Sequence, residues 1–491
     1  MWSDPDSMNR STPAASTEAE ATSGAETLER ALLSEPRACI SAIATPPGEG
    51  ALSIVRLSGR DALKIADRFF KGARPLADAP SRTIHYGHVA DPATGAMIDE
   101  VMVSVFRAPR SFTGEDCVEI TGHGGVLVTQ QVFEATLAAG ARAAEPGEFT
   151  QRAFLNGRMD LSQAEAVADL IHAQSAAAAD AARVQLEGRL GDEVAEFRQA
   201  LVDATAMVEL ELDFSEEDVE FADRAQLRGL LQGLSDRVEG LLETYEAGRL
   251  IREGVRTAII GRPNAGKSTL LNALVGKERA IVTPQAGTTR DTIEVEWSHR
   301  GLRFVLIDTA GIRETDDLVE AEGVRRSTET LRDADLVLYL KEASLPLESA
   351  ERDGIDAFRG QLRPGVSLLR ILTQVDKAGT ALEPGMEWDL AISALTGEGM
   401  PDLRQRMLDA ALDRPLPAPG SVTVTSSRHR DALRRTGEHV RNALHGLDGG
   451  LPGDLLAIDL RGALHQLGLI TGAITNEDVL DSIFSRFCIG K

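Results

Sequence analysis

The chain has 491 residues, 43% hydrophobic and 26% charged, with a formal net charge of −24. That length suffices for about two to four domains, and the acidity excludes binding of nucleic acid through overall charge, so any RNA contact needs a local basic patch or a partner. Cys39, Cys117 and Cys488 lack CxxC spacing, which excludes a disulfide framework, implies no zinc site and points to a reducing cytoplasm; no run of about 18 apolar residues indicates a membrane span.

Residues 1–37 read as a disordered tail rich in Ser, Thr, Ala and Glu. The tail has no apolar core of a secretory signal and is too acidic for a mitochondrial transit peptide. Residues 38–158 form a compact mixed segment. Its predicted strands are "CISAIATP" and "ALSIVRLSG", on either side of the turn "PPGEG", and "MIDEVMVSVFRAP"; "GGVLVTQQVFEATLAAGA" has helical spacing.

From 159 to 252 the composition shifts to strong helix formers, with Leu161, Val167, Leu170 and Ile171 on one expected face. The run "ELELDFSEEDVEFAD" (209–223) has eight carboxylates and reads as a solvated helix end or loop. "LRGLLQGLSDRVEGLLETYEAG" resumes the helical pattern, and residues 427–485, within a last block of 415–491, are helical in character again. Between these blocks, residues 253–414 alternate short apolar runs ("TAII", "RFVLI", "ADLVLYL", "SLLRILT", "DLAIS") with helical stretches. That order predicts a mostly parallel sheet inserted into a helical domain built from two separated segments.

"TAIIGRPNAGKSTLLNAL" reads as strand, loop and helix and fits GxxxxGK[ST] through Gly261, Gly266, Lys267 and Ser268. Backbone N–H groups and the helix N-terminus hold phosphate oxygens, Lys267 reaches the β and γ phosphates, and Ser268 binds Mg²⁺. In "RFVLIDTAG", Asp308 follows a strand and can reach Mg²⁺ through water, and the Gly311 N–H can meet the γ-phosphate. In "ILTQVDK", Asp376 can accept from guanine N1–H and the 2-amino group, donors that adenine lacks there. In "AISALTGEG" the backbone after Ser393 can meet the guanine carbonyl. The order is that of a GTPase.

The loop, "DTAG" and "SAL" resemble the GTP-binding domains of translation-factor-class GTPases, which extends the expected nucleotide contacts to Ala265, Thr269, Thr309, Ala310, Thr373 and Ala394. The guanine motif of that superfamily is usually Asn-Lys-x-Asp. Here it reads Thr373-Gln374-Val375-Asp376: the reading acid is kept, and Gln374 can pack its stem near the base without a positive charge. Ile312 stands where many switch GTPases carry a water-orienting glutamine.

Asn264 lies inside the phosphate loop, where an amide could simply hold the loop by hydrogen bonding. The segment "AIVTPQAGTTRDT" offers a second reading. Thr289 suits Mg²⁺ and the γ-phosphate, and the Asn264 amide, the Thr283 and Gln285 carbonyls and the Thr288 hydroxyl can surround a monovalent cation that replaces an arginine finger. Pro284, Ala286 and Gly287 complete this nucleotide-facing segment. "GRPNAGKS" with "AGTTRD" resembles the potassium-activated branch of bacterial GTPases. "ATPPGEGALSIVRLSG", "SFTGEDCVEITGHGG" with "PGEFTQRAFLNGRMDLSQAEAVADLI", and the terminal "FCIGK" resemble the MnmE/TrmE family of tRNA-modification GTPases. The resemblance spans residues 38–491; the departures are Glu49 and Arg158, where Arg and Lys are common, and the guanine motif.

The resemblance implies an N-terminal α+β folate-binding and dimerisation domain over 38–158, a helical domain over 159–252 and 415–491, and an inserted P-loop GTPase domain over 253–414. It implies that Glu320, otherwise only a charged residue on a switch helix, orients the attacking water. It places 5-formyl- or 5,10-methylene-tetrahydrofolate with Arg56, Glu119, Arg158 and Lys491, and makes Cys488 a modification residue. K⁺ sits with Asn264, Thr283, Gln285 and Thr288. The implied partners are a second copy, an FAD-dependent subunit and tRNA, whose wobble uridine receives a (carboxymethyl)aminomethyl group. A regulatory ribosome-assembly GTPase is the alternative, but it needs an RNA-binding appendage such as a KH module, and no GxxG loop in a basic setting is found. For "SRFCIGK" three readings stand: a prenylation box, poorly matched at Gly490 and Lys491; a tail in which Phe487, Cys488 and Ile489 pack; and an active-site tail.

Overall fold

The computed structural model describes residues 38–213, 224–276, 294–308, 333–347, 352, 355, 358–360, 362–377, 388–412 and 416–491. The expected tail 1–37 and residues 214–223 of the acidic run lie outside them. The chain divides into two compact units, one containing residues 38–158 and Asp478–Lys491, the other Met159–Glu477. The last expected block, 415–491, therefore divides at Asp478.

The first unit is built on a seven-stranded sheet in the order β3-β4-β5-β6-β2-β1-β7. Its strands are β1 (Ile40–Ile43), β2 (Leu52–Ser58), β3 (Phe70–Gly72), β4 (Thr83–Ala90), β5 (Met97–Phe106), β6 (Cys117–His123) and β7 (Arg142–Ala143). All pairings are antiparallel except β1 with β7. Strand β5 shows why the sheet forms. Val101, Val103 and Val105 alternate into the core, while Met102, Ser104 and Phe106 point the other way. Helices α1 (Ala62–Phe69) and α2 (Val126–Ala138) cover the buried face through Leu63, Ala66, Phe69, Val132 and Ala135. Helix α3 (Glu148–Leu155) follows β7.

In the second unit, α4 (Leu161–His172) opens on a capping box formed by Asp160 and Gln163. Leu161 and Val167 are buried as expected, but Leu170 and Ile171 are exposed; the buried face of α4 instead uses small residues, Ser162, Ala164 and Ala166. Then come α5 (Ala176–Leu186), α6 (Arg189–Asp213), α7 (Arg224–Glu243) and α8 (Tyr245–Glu253). Helix α6 buries Leu190, Val194, Phe197, Leu201, Ala204 and Val208, a four-three spacing that makes one continuous stripe. That stripe shares a core with Leu227, Leu231 and Leu234 of α7 and with two late helices, α11 (Ser427–Asp448) and α12 (Gly453–Thr471). Segments on both sides of the central region thus build one helical core.

The central region is a six-stranded sheet in the order β13-β12-β11-β8-β10-β9. The strands are β8 (Val255–Gly261), β9 (Glu294–His299), β10 (Leu302–Asp308), β11 (Leu336–Glu342), β12 (Ser367–Thr373) and β13 (Leu390–Ala391), with helices α9 (Lys267–Val275) and α10 (Met400–Ala411). Every pairing is parallel except β9 with β10. Helix α8 leads into β8 and is tied through its middle and C-terminal turn: Arg249 pairs with Asp335 at 2.8 Å, and Arg252 with Asp169 of α4 at 2.9 Å. The last helix, α13 (Glu477–Phe484), leads to the C-terminal tail.

Candidate functional site

The phosphate loop sits where β8 gives way to α9. At Gly261, φ is 152° and a Cβ would lie 2.4 Å from the Leu340 carbonyl of β11, so only glycine lets the loop leave the sheet here. Gly266 caps α9 in a left-handed conformation, and Lys267 begins the helix. Lys267 Nζ donates to the Gly261 and Arg262 carbonyls at 2.7 and 2.9 Å, which holds the ammonium over the loop. Ser268, Thr269 and the Asn264 side chain are exposed, and Ala265 is buried.

The guanine-motif residues grip this loop. Thr373 is buried and its hydroxyl donates to the Ala265 carbonyl at 2.8 Å and the Lys341 carbonyl at 3.1 Å. Gln374 was expected to lie near the base; its Nε2 donates to the Asn264 carbonyl at 2.8 Å, and its Oε1 accepts from Lys377 Nζ at 2.7 Å. The exposed Asp376 lies in the turn after β12. Val375 N–H donates to the Ile392 carbonyl at 3.3 Å, tying that turn to the segment that leads to Ser393 and Ala394. Ser393 is fully buried, and its Oγ accepts from the Thr396 N–H at 3.1 Å. Asp308 ends β10, the strand beside β8. Thr283, Pro284, Gln285, Ala286, Gly287, Thr288, Thr289, Thr309, Ala310, Gly311 and Glu320 lie outside the described residues.

A second cluster forms in the N-terminal unit. Glu119 of β6 is directly opposite Arg56 of β2. Arg56 Nε and Nη2 both reach Glu119 Oε1, at 2.9 and 2.8 Å, and Arg56 Nη1 donates to the Gly490 carbonyl at 3.4 Å. The guanidinium lies 5.5 Å from the ring centre of Phe112 and 5.7 Å from that of Phe149. These two rings escape sequence reading, because nothing in a lone phenylalanine marks it as the support of a distant arginine. The C-terminal tail is pressed against β1: Gly490 has φ 96°, and a Cβ there would lie 2.5 Å from the Ile43 carbonyl. Burial and then Arg56 lower the pKa of Lys491, with Glu119 and Cys488 opposing.

Of the expected tail packing, only Phe487 is buried. Ile489 is 61% exposed and Cys488 is exposed, because the turn that brings the Lys491 N–H to the Cys488 carbonyl, at 3.3 Å, presents both to solvent. Cys488 is therefore not a small buried hydrophobe. Cys39 is the contrast: burial pushes its thiol up to about 12. Arg158 lies in the same unit, with Nε donating to the Ser111 carbonyl at 3.1 Å. Among the described residues no helix is long and apolar enough to cross a membrane.

A GxxxxGKS loop between a central parallel strand and its helix, with Asp308 ending the adjacent strand β10 and with Asp376 and the Ser393-Ala394 pair just beyond β12 and β13, defines a P-loop GTPase. The rest of the chain narrows the class. Residues 39–158 match the family model "GTP-binding protein TrmE N-terminus" and residues 161–488 match "MnmE helical domain". The chain is 49% identical over 461 residues to the tRNA modification GTPase MnmE of Salinibacter ruber, covering 92% of this chain and 99% of that one. It is 47% identical to the protein of the same name from Chlorobium phaeobacteroides, with 92% and 97% covered, and 45% identical to that from Geobacillus thermodenitrificans, with 92% and 99% covered. The chain belongs to the MnmE family of tRNA modification GTPases, and it is an enzyme that binds and hydrolyses GTP.

Proposed function

We propose that this chain is the GTP-hydrolysing subunit of a complex that installs an aminomethyl or carboxymethylaminomethyl group at C5 of the tRNA wobble uridine. The observation that carries this reading is the Arg56–Glu119 pair with the Gly490 carbonyl and Lys491 against it. It joins the "SIVRLSG", "CVEITG" and "FCIGK" motifs in one place. The donor set suits a folate. Among the described residues Glu119 Oε2 has no hydrogen-bond partner and can take a pterin N–H or amino group, Phe112 offers an apolar face, and Lys491 and Arg158 offer cations to polar or anionic parts. A bound 5-formyl- or 5,10-methylene-tetrahydrofolate would supply the one-carbon unit.

In this reading GTP turnover drives the cycle. Ser268 and Thr289 hold Mg²⁺; Asn264, Thr283, Gln285 and Thr288 hold K⁺; Glu320 orients water. Two GTPase domains of a homodimer close on each other, and an FAD-dependent subunit and tRNA complete a cytoplasmic assembly. The exposed Cys488 is the modification residue at the tail.

The test is mass spectrometry of wobble nucleosides in a deletion strain carrying the wild-type gene, Cys488→Ser or nothing. The deletion should lose the modified uridine and the wild type should restore it. Cys488→Ser should fail while still hydrolysing GTP in vitro. Full modification in the deletion strain would sink the function, whereas rescue by Cys488→Ser would remove only the role of the cysteine.

A further inference from the structure

The N-terminal unit contains an open cavity of about 460 Å³ lined by Arg82, Phe106, Arg110, Ser111, Phe112 and Arg158. The lining holds three guanidinium groups and no carboxylate. Arg158 uses its Nε on the Ser111 carbonyl, and the side chains of Arg82 and Arg110 have no hydrogen-bond or ion-pair partner among the described residues. Arg142 and Arg152 of the same unit are paired by contrast: both reach Glu148, and Arg152 also reaches Glu115. In a chain with a net charge of −24, three unneutralised cations around one concavity focus positive potential there and favour an anion. Arg82 also holds a left-handed backbone, φ 63°, with its N–H donating to the Val105 carbonyl at 2.7 Å. For a long side chain that conformation is strained, and such strain is typically kept at functional sites.

The cavity adjoins the Arg56–Glu119 pair. Ser104 lies opposite Glu119, and Glu119 opposite Arg56, so the three share a sheet face. Phe106, two residues beyond Ser104, is on that face as well, roughly 7 Å further along the strand. Phe112 is the common wall: it lines the cavity and lies beneath the Arg56 guanidinium.

We propose that this cavity takes the carboxylate tail of the folate, and that Arg82 and Arg110 select γ-linked polyglutamate forms over the monoglutamate. The proposal rests on the folate reading above. A folate is chemically graded along its length. Its ring end carries the N–H and amino donors that suit Glu119, its middle is an aromatic benzoyl group that suits Phe106 and Phe112, and its tail gains one carboxylate with each further glutamate. Guanidinium forks pair with carboxylates through two hydrogen bonds, which lysines cannot do. Phosphates of tRNA would also be drawn to arginines. A bounded concavity with aromatic walls, shared with an acid that reads N–H groups, favours the small amphipathic ligand over a backbone that tracks an extended groove.

The experiment is calorimetric titration of the full-length protein with 5-formyl-tetrahydrofolate as its monoglutamate and its triglutamate, for the wild type, the double variant Arg82→Ala/Arg110→Ala and Glu119→Gln, each checked for native circular dichroism. The wild type should bind the triglutamate roughly tenfold more tightly than the monoglutamate. The double variant should bind both forms equally, and a Lys/Lys double variant should recover only part of the preference. Equal wild-type affinity for the two forms, or a preference that survives the double variant, overturns the tail subsite while leaving the folate reading intact. Failure of both forms to bind the wild type overturns the folate reading and this inference together. If the double variant weakens tRNA binding and leaves the triglutamate preference unchanged, the cavity belongs to RNA and the proposal falls.

Discussion

The side-chain amide of Gln374 donates to the backbone carbonyl of Asn264 at 2.8 Å, and both residues hold a left-handed backbone, φ 59° and 66°. The guanine motif is thereby fastened to the phosphate loop by a neutral side chain. Together with the Thr373 hydroxyl on the Ala265 carbonyl, this holds the loop at two consecutive carbonyls.

Gln374→Ala should therefore weaken GTP and GDP binding roughly threefold to tenfold, the equivalent of one hydrogen bond of about 1 kcal/mol. Gln374→Gly loses the same bond but relieves the positive φ, which costs a residue with a Cβ about 1–2 kcal/mol. The glycine variant should melt higher than the alanine variant while binding nucleotide equally weakly. Fluorescent-nucleotide titration and thermal melting separate the two effects. Wild-type affinity in Gln374→Ala would mean that the amide bridge does not shape the site.

The exposed amide of Asn264 remains available to a cation, since Gln374 occupies only its backbone carbonyl. GTP hydrolysis should be much faster in K⁺ than in Na⁺, and Asn264→Ala should erase most of the difference. Glu320→Ala should lower kcat with little change in nucleotide affinity, because Ile312 cannot orient water. Equal rates in the two salts would dismiss the cation site. A matching collapse of affinity in Glu320→Ala would make that residue structural.

Glu165 and Asp169 stand one helical turn apart on α4 and should respond to pH in opposite senses. Burial raises the Glu165 pKa, but His429 at 2.8 Å and Arg428 at 2.9 Å outweigh it and hold the carboxyl well below its usual range. Its stabilising contribution is present above the unfolded-state pKa and is lost as pH falls through the lowered folded value. For Asp169 burial wins over Arg252 and the pKa is raised. Its contribution is present below the unfolded-state pKa and is lost as pH rises through the raised folded value. At neutral pH, Glu165→Gln should destabilise the helical block by roughly 1–3 kcal/mol, since it removes the carboxylate that the buried His429 ring and the partly buried Arg428 guanidinium share. Asp169→Asn should change stability by no more than about 1 kcal/mol, because Arg252 is partly exposed and can be solvated. Denaturant titrations at neutral pH and near pH 4, about the usual carboxylate pKa, would test this. Equal losses in the two variants would contradict the opposite signs.

Much of the fold was legible because local patterning and burial agree. Val101, Val103 and Val105 alternate inward as "MIDEVMVSVF" suggests, and the phosphate loop lies between the strand and the helix that its sequence predicts. Strand β4, "TIHYGHVA", was not legible, because its pattern is inverted. Ile84 and Tyr86 are exposed, whereas His85 and Gly87 face inward, Gly87 because the Phe70 ring occupies the space a side chain would need. Leu170 and Ile171 misled for a related reason: apolarity marks a candidate face, but only the packing of α4 decides where that face ends. At the site, Arg56 and Glu119 were found through motifs, and the structure brings them together. Phe112, Phe149, Arg82 and Arg110 were not, since their role depends on contacts far apart in sequence. The bond from Gln374 to the phosphate loop was equally hidden, because it spans two loops on different strands.

The chain topology also sets a schedule. The tail that carries Cys488 and Lys491 groups with residues 38–158, yet residues 159–477 are translated in between. A nascent polypeptide will have had its N-terminal sheet outside the ribosome for most of its synthesis before Gly490 can come to rest against the Ile43 carbonyl. Until then the Arg56–Glu119 pair lacks its last neighbours. A part of the protein made before the GTPase region is thus finished only after it, and a product released by a stop ahead of Asp478 would carry the sheet and the GTPase without the segment that groups with that sheet.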